Sequence, residues 1–91
     1  MTPPSGRNVR RHQRFLDALR VILRAYPRAE EVIRGAEWSI ARAPDRDGVH
    51  VGGNVWQAKL TKSWAMPEAR LYYTFDDRHV NMMDISLVLE N

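Results

Sequence analysis

Cysteine is absent from the 91 residues, which excludes disulfide staples, thiolate nucleophiles and Cys-ligated zinc. No apolar run approaches the roughly 18–20 residues that span a bilayer, so no membrane partner is expected. The first residues, Met-Thr-Pro-Pro-Ser-Gly-Arg, hold no apolar segment of the kind a secretory signal needs. Lysine occurs only as Lys59 and Lys62. Aromatic residues make up 9%, yet a hydrophobic fraction of 44% is too high for a disordered chain. A chain of 91 residues has room for one core and not for two. These absences leave the expectation of a single compact domain in the cytoplasm.

What is present is arginine, and it is unevenly placed. Residues 1–46 hold ten Arg against five acids, whereas residues 47–91 hold four Lys or Arg against six acids. The net charge of +3 therefore comes from the first half. Arginine suits bidentate contacts with carboxylates and phosphates, so an acidic protein or a nucleic acid is the expected partner.

Pro3, Pro4, Ser5 and Gly6 mark residues 1–8 as a flexible tail, with a single domain over residues 9–91. Phe15, Leu19, Ile22 and Tyr26 recur at helical spacing, and Leu16 and Leu23 widen that stripe. Residues 9–26 are thus predicted as an amphipathic helix with Arg10, Arg14, Arg20 and Arg24 on its polar side. Pro27 ends it and suits the first turn of a second helix, with Glu30 and Glu31 near its positive pole. Ala29, Val32, Ile33, Ala36, Ile40 and Ala43 share that helix's apolar face up to Pro44, and Trp38 points away beside Arg34. The sharp turn predicts an antiparallel helical hairpin. Gly35 leaves room for the close approach of another element.

After a loop over residues 43–48 the period changes to two. Val49 and Val51 form a short strand before Gly52-Gly53. In residues 55–61, Trp56, Ala58 and Leu60 alternate with Gln57, Lys59 and Thr61. In residues 70–76, Leu71, Tyr73 and Phe75 alternate with Arg70, Tyr72 and Thr74. Residues 80–88 form a last strand with Met83 and Ile85 inward and Val80, Met82, Asp84 and Ser86 outward. Asp76-Asp77 turns the final hairpin as a solvated cap. The fold class is α+β, a helical hairpin on one face of a three- to four-stranded antiparallel sheet. The uncovered face then carries Gln57, Lys59, Arg70 and Tyr72.

Several chemistries find no residues here. Gly52-Gly53 is not followed by a helix and a phosphate-loop lysine, and no nucleophile elbow is present. His12, His50 and His79 share no ligand spacing, so neither a metal nor another cofactor is expected.

Two stretches carry a family resemblance. Val55-Trp-Gln-Ala-Lys-Leu-Thr61, and Ala69-Arg-Leu-Tyr-Tyr-Thr-Phe-Asp-Asp-Arg-His-Val-Asn-Met-Met-Asp-Ile85, resemble the RelE/ParE toxin superfamily of type II toxin–antitoxin systems. The resemblance covers residues 15–88 in element order, and in wording only residues 55–86. It implies a toxin held by an antitoxin, and for RelE-like members metal-independent cleavage of messenger RNA in the ribosomal A site. ParE-like members act on DNA gyrase instead. By the same resemblance, Lys59 and Arg70 match the sheet cations that hold the phosphate, making them the candidate catalytic residues. Gln57, Tyr72 and, from a loop, Lys62 become RNA contacts.

This sequence departs from the family at both ends. Residues 1–8 offer at most a stub of the usual first strand. After Ile85, Ser86-Leu-Val-Leu-Glu-Asn91 lacks the family's second cation and its Tyr or His. Loss of nuclease chemistry, with another target, therefore stays open beside cleavage. So does a non-catalytic binding module in which Arg20, Arg24, Arg34 and Trp38 receive an acidic partner. The simplest alternative for Lys59 and Arg70 is solvation of an open sheet, with one of them paired to Asp84.

Overall fold

The computed structural model describes residues 6–89. Strand β1 (Asn8–Arg11) is followed by helices α1 (Gln13–Ala25), α2 (Ala29–Arg42) and the one-turn α3 (Pro44–Asp47). Strands β2 (Val49–Gly52), β3 (Val55–Leu60), β4 (Ala69–Phe75) and β5 (His79–Leu87) complete the chain. The sheet has five strands in the order β1-β5-β4-β3-β2. The helices cover one face, as the hydropathy pattern predicts.

The sheet is mixed and five-stranded, not antiparallel with three or four strands, because β1 pairs parallel with β5. Asn8–Arg11 was expected to divide between tail and helix. It is a strand because Val9 and Arg11 alternate with Asn8 and Arg10, and the edge of β5 needs backbone partners. Asn8 N donates to Arg78 O at 2.8 Å and His12 N to Met82 O at 3.0 Å. Helix α1 therefore begins four residues later than predicted. Arg7, also expected in the tail, donates from its backbone N to Ala41 O at 3.1 Å and from Nε to Asp76 O at 2.6 Å. Residues 1–5, the rest of that tail, lie outside the described residues.

The core joins Phe15, Leu19 and Ile22 of α1 to Ile33 and Ile40 of α2 over Leu71, Tyr73, Val80, Met82 and Ile85. On β5 the predicted faces are half right. Phe75 opposes Val80 and Thr74 opposes Asn81, but the register shifts between Tyr72 and Tyr73, so that Tyr73 meets Met82 and Tyr72 meets Asp84. Met83 is the extra residue of this bulge. Upstream of it Val80 and Met82 point inward, and downstream Ile85 does, so no single alternation describes the strand.

Other expectations are corrected by placement. The 43–48 loop contains α3, whose Pro44 is buried and whose carbonyl accepts the Tyr73 hydroxyl at 2.5 Å. Gly35 meets no other element: the position its Cβ would take is open. In the β3–β4 connection Ala65 and Met66 are buried while Trp64 is exposed. Asp76 behaves as predicted, its Oδ1 accepting from the backbone N of Arg78 at 2.7 Å and of His79 at 2.8 Å. Those two bonds hold its carboxyl below the usual range.

Candidate functional site

Alternation on β3 and β4 buries Ala58, Leu71 and Tyr73 under the helices and turns their neighbours to the other side. Lys59 is the direct cross-strand partner of Arg70, and Gln57 of Tyr72. These four side chains form a block two residues wide and two high, on the sheet face without helices. Gln57 Nε2 donates to the Tyr72 hydroxyl at 3.1 Å. Lys59 Nζ lies 3.7 Å from Glu68 Oε1, and among the described residues Arg70 makes no ion pair. Asp84 is taken by Arg14, Nε to Oδ2 at 3.2 Å, rather than by Lys59 or Arg70.

Two cations missed in the sequence belong to this face. Arg10, assigned by periodicity to a helix, stands on β1 in register with Asn81, which in turn pairs with Thr74 of β4. Arg10 Nε donates to Asn81 Oδ1 at 2.9 Å, and Asn81 Nδ2 to Thr74 Oγ1 at 3.1 Å. Arg14 reaches Asp84 from the first turn of α1. The alternation of residues 8–11 was the signal that finds Arg10; nothing local in the sequence points to Arg14.

Lys59 and Arg70 thus place two like charges directly opposite each other. Like charges directly opposite on adjacent strands oppose pairing by some tenths of a kcal/mol to about 1 kcal/mol. Glu68 offsets part of this for Lys59.

The remaining predicted residues lie elsewhere. Lys62 follows β3 and lines a cleft with Trp64 and Tyr26 at the end of the sheet. Arg20 and Arg24 stand on α1, and Arg34 and Trp38 on α2, all exposed on the helical layer. Arg20 lies 3.7 Å from Asp17, and Arg34 3.2 Å from Glu30. Trp38, 60% exposed, carries the Arg42 guanidinium over its ring at 4.5 Å and does not pack under the loop that follows α2.

The histidines are dispersed: His12 precedes α1, His50 Nε2 contacts Gly53 O at 2.6 Å, and His79 lies by Asp76. Among the described residues no three His, Cys, Asp or Glu side chains gather in a metal-binding group, and no helix is long and apolar enough to cross a membrane. No family model matches the chain, and neither a curated protein nor a solved structure matches it. Fold and site define an α+β domain whose mixed sheet keeps one cationic face uncovered.

Proposed function

We propose that this protein is the toxin-like component of a bacterial type II toxin–antitoxin pair, with a RelE/ParE-like fold, acting in the cytoplasm on messenger RNA at the ribosome. The observation that carries the reading is the direct pairing of Lys59 with Arg70 on the helix-free face. It is supported by the helix pair behind the sheet and by Arg10 and Arg14 on the same side. In this reading an RNA phosphate lies between Lys59 and Arg70, with Gln57 and Tyr72 contacting the adjoining nucleotide. Attack of the ribose 2′-OH forms a new O–P bond and breaks the P–O5′ bond. The two cations stabilise the added charge on the pentacoordinate phosphate. The 2′-OH proton leaves to a base, and the departing 5′ oxygen takes one up. Glu68 is the carboxylate beside Lys59, and Asp84, held by Arg14, stands opposite Tyr72; Leu87-Val-Leu89 offers no proton-transfer side chain.

A second reading, inhibition by binding without cleavage, is favoured by the exposed Trp38 beside Arg34 and Arg42. In it Arg20, Arg24, Arg34 and Trp38 contact an acidic protein, antitoxin or target. Expression in bacteria separates the readings. The wild type is expected to arrest growth and to cut ribosome-bound messenger RNA, and Lys59→Ala with Arg70→Ala to lose cleavage by at least about 100-fold. Arrest that survives the double change supports binding without cleavage. Absence of arrest removes the toxin reading.

A further inference from the structure

The connection from β3 to β4 folds back on itself, with Ser63 N donating to Met66 O at 3.0 Å. Burial of Ala65 and Met66 anchors it, and Val88 N donates to Glu68 O at 2.7 Å, tying it to the end of β5. This leaves Trp64 outside, 72% exposed, at a cleft of about 370 Å³ that Tyr26 also lines. The Arg28 guanidinium lies 4.7 Å from the indole centroid and covers one face of the ring. A ring so exposed, with a cation on one face, keeps its other face open for stacking. The floor is apolar, from Met66 and Val88, and Lys62 stands at the cleft without an ion pair among the described residues.

Glu68 connects this cleft to the cationic face. It lines the cleft and also holds Lys59. The cleft and the cationic face therefore adjoin through this one residue. The cleft suits a flat apolar group joined to an anion: the flat part for Trp64 and Tyr26, the anion for Lys62. A nucleotide has that composition, and the volume lies within the usual range of small-molecule sites.

The geometry points to a nucleobase site. One base of the RNA strand whose phosphate lies on Lys59 and Arg70 enters the cleft, stacks on Trp64 and Tyr26, and places its own phosphate at Lys62. This inference rests on the RNA reading above and adds where the neighbouring base goes.

Two-dimensional 15N NMR of the full chain with adenosine 5′-monophosphate tests the site directly, because each of the three Trp indoles gives its own signal. The nucleotide is expected to move the Trp64 indole and the amides of residues 62–68 saturably. Ribose 5-phosphate, which lacks the base, is expected to bind at least tenfold more weakly. Trp64→Ala is expected to weaken binding of a single-stranded RNA octamer at least fivefold. Adenosine monophosphate leaving the cleft signals in place, or ribose 5-phosphate matching it, overturns the base site. Octamer binding in Lys59→Ala with Arg70→Ala keeps the two ideas apart. If that variant loses the octamer while the nucleotide ignores the cleft, the RNA reading stands and the base site falls. If it binds the octamer unchanged while the nucleotide fills the cleft, the RNA reading falls and a mononucleotide site remains.

Discussion

Arg11 grips both carboxylate oxygens of Glu37 beneath α2, Nε to Oε2 at 2.9 Å and Nη2 to Oε1 at 2.7 Å. Glu37 is only 6% exposed, and Arg11 also reaches Glu30 at 2.6 Å. The bond to Glu37 leads the influences that raise the Arg11 guanidinium pKa. Burial pushes the Glu30 carboxyl up, and Arg11 and Arg34 more than reverse it, leaving that group below its usual range. A buried pair adds little over a well-packed apolar pair, but breaking one leaves a bare charge inside. Arg11→Met is therefore expected to cost about 3–5 kcal/mol in urea unfolding, and Arg11→Met with Glu37→Leu to recover most of that. A single change costing less than about 0.5 kcal/mol contradicts the buried pairing.

Tyr73 sets an alkaline limit. Burial, then the charges of Asp47 and Asp45, push its hydroxyl up to about 12 from 10.0. Between those values the unfolded chain loses this proton while the folded one keeps it, so stability falls as pH rises. The contribution is fully present below pH 10 and is lost progressively toward pH 12, by roughly 1–3 kcal/mol. Tyr73→Phe is expected to flatten this slope and to cost about 1–3 kcal/mol at pH 7 by stranding the Pro44 carbonyl. Urea midpoints at pH 7 and pH 11 check both statements.

Gly48 stands against the Tyr73 hydroxyl and the Gln57 carbonyl, with no space for a Cβ. Its φ of −135° is ordinary, so the demand for glycine is one of volume and not of backbone conformation. Gly48→Ala is expected to lower stability by about 1–3 kcal/mol, measured by denaturant unfolding. In Tyr73→Phe, where the hydroxyl is gone, the same change is expected to cost less.

The β5 bulge makes neighbouring methionines unequal. Met82 is fully buried, whereas Met83 occupies the extra position. Met82→Ala is expected to cost about 2–5 kcal/mol and Met83→Ala under about 1 kcal/mol. Equal costs would remove the bulge.

Alternation was enough to place Lys59, Gln57, Arg70 and Tyr72 on one face, because β3 and β4 are regular and half-buried. The first strand escaped notice for a physical reason. Residues 8–11 are short and arginine-rich, and their pairing partner lies about seventy residues away in β5. The inward side of that strand carries Arg11, whose burial is made tolerable only by Glu37 and Glu30 across the layer. Likewise Met83 looks like any apolar strand residue, and only pairing with β4 shows that it is an insertion. Trp64 and Tyr26 are far apart in sequence, so the cleft between them had no local signal.

Arg70 and Lys59 tie function to stability in opposite senses. Because they repel across the strand pair, Arg70→Ala is expected to leave stability unchanged or raise it by a few tenths of a kcal/mol. The same substitution is expected to weaken RNA binding. A clear loss of stability, seen as a lowered urea midpoint, would mean that Arg70 has a structural partner instead.

The most direct test is the salt dependence of binding to a single-stranded RNA octamer, wild type against Lys59→Ala with Arg70→Ala. Loss of the one phosphate held by this pair is expected to flatten the slope of log affinity against log salt by about 0.7. Equal slopes in the two proteins would contradict a phosphate held between Lys59 and Arg70.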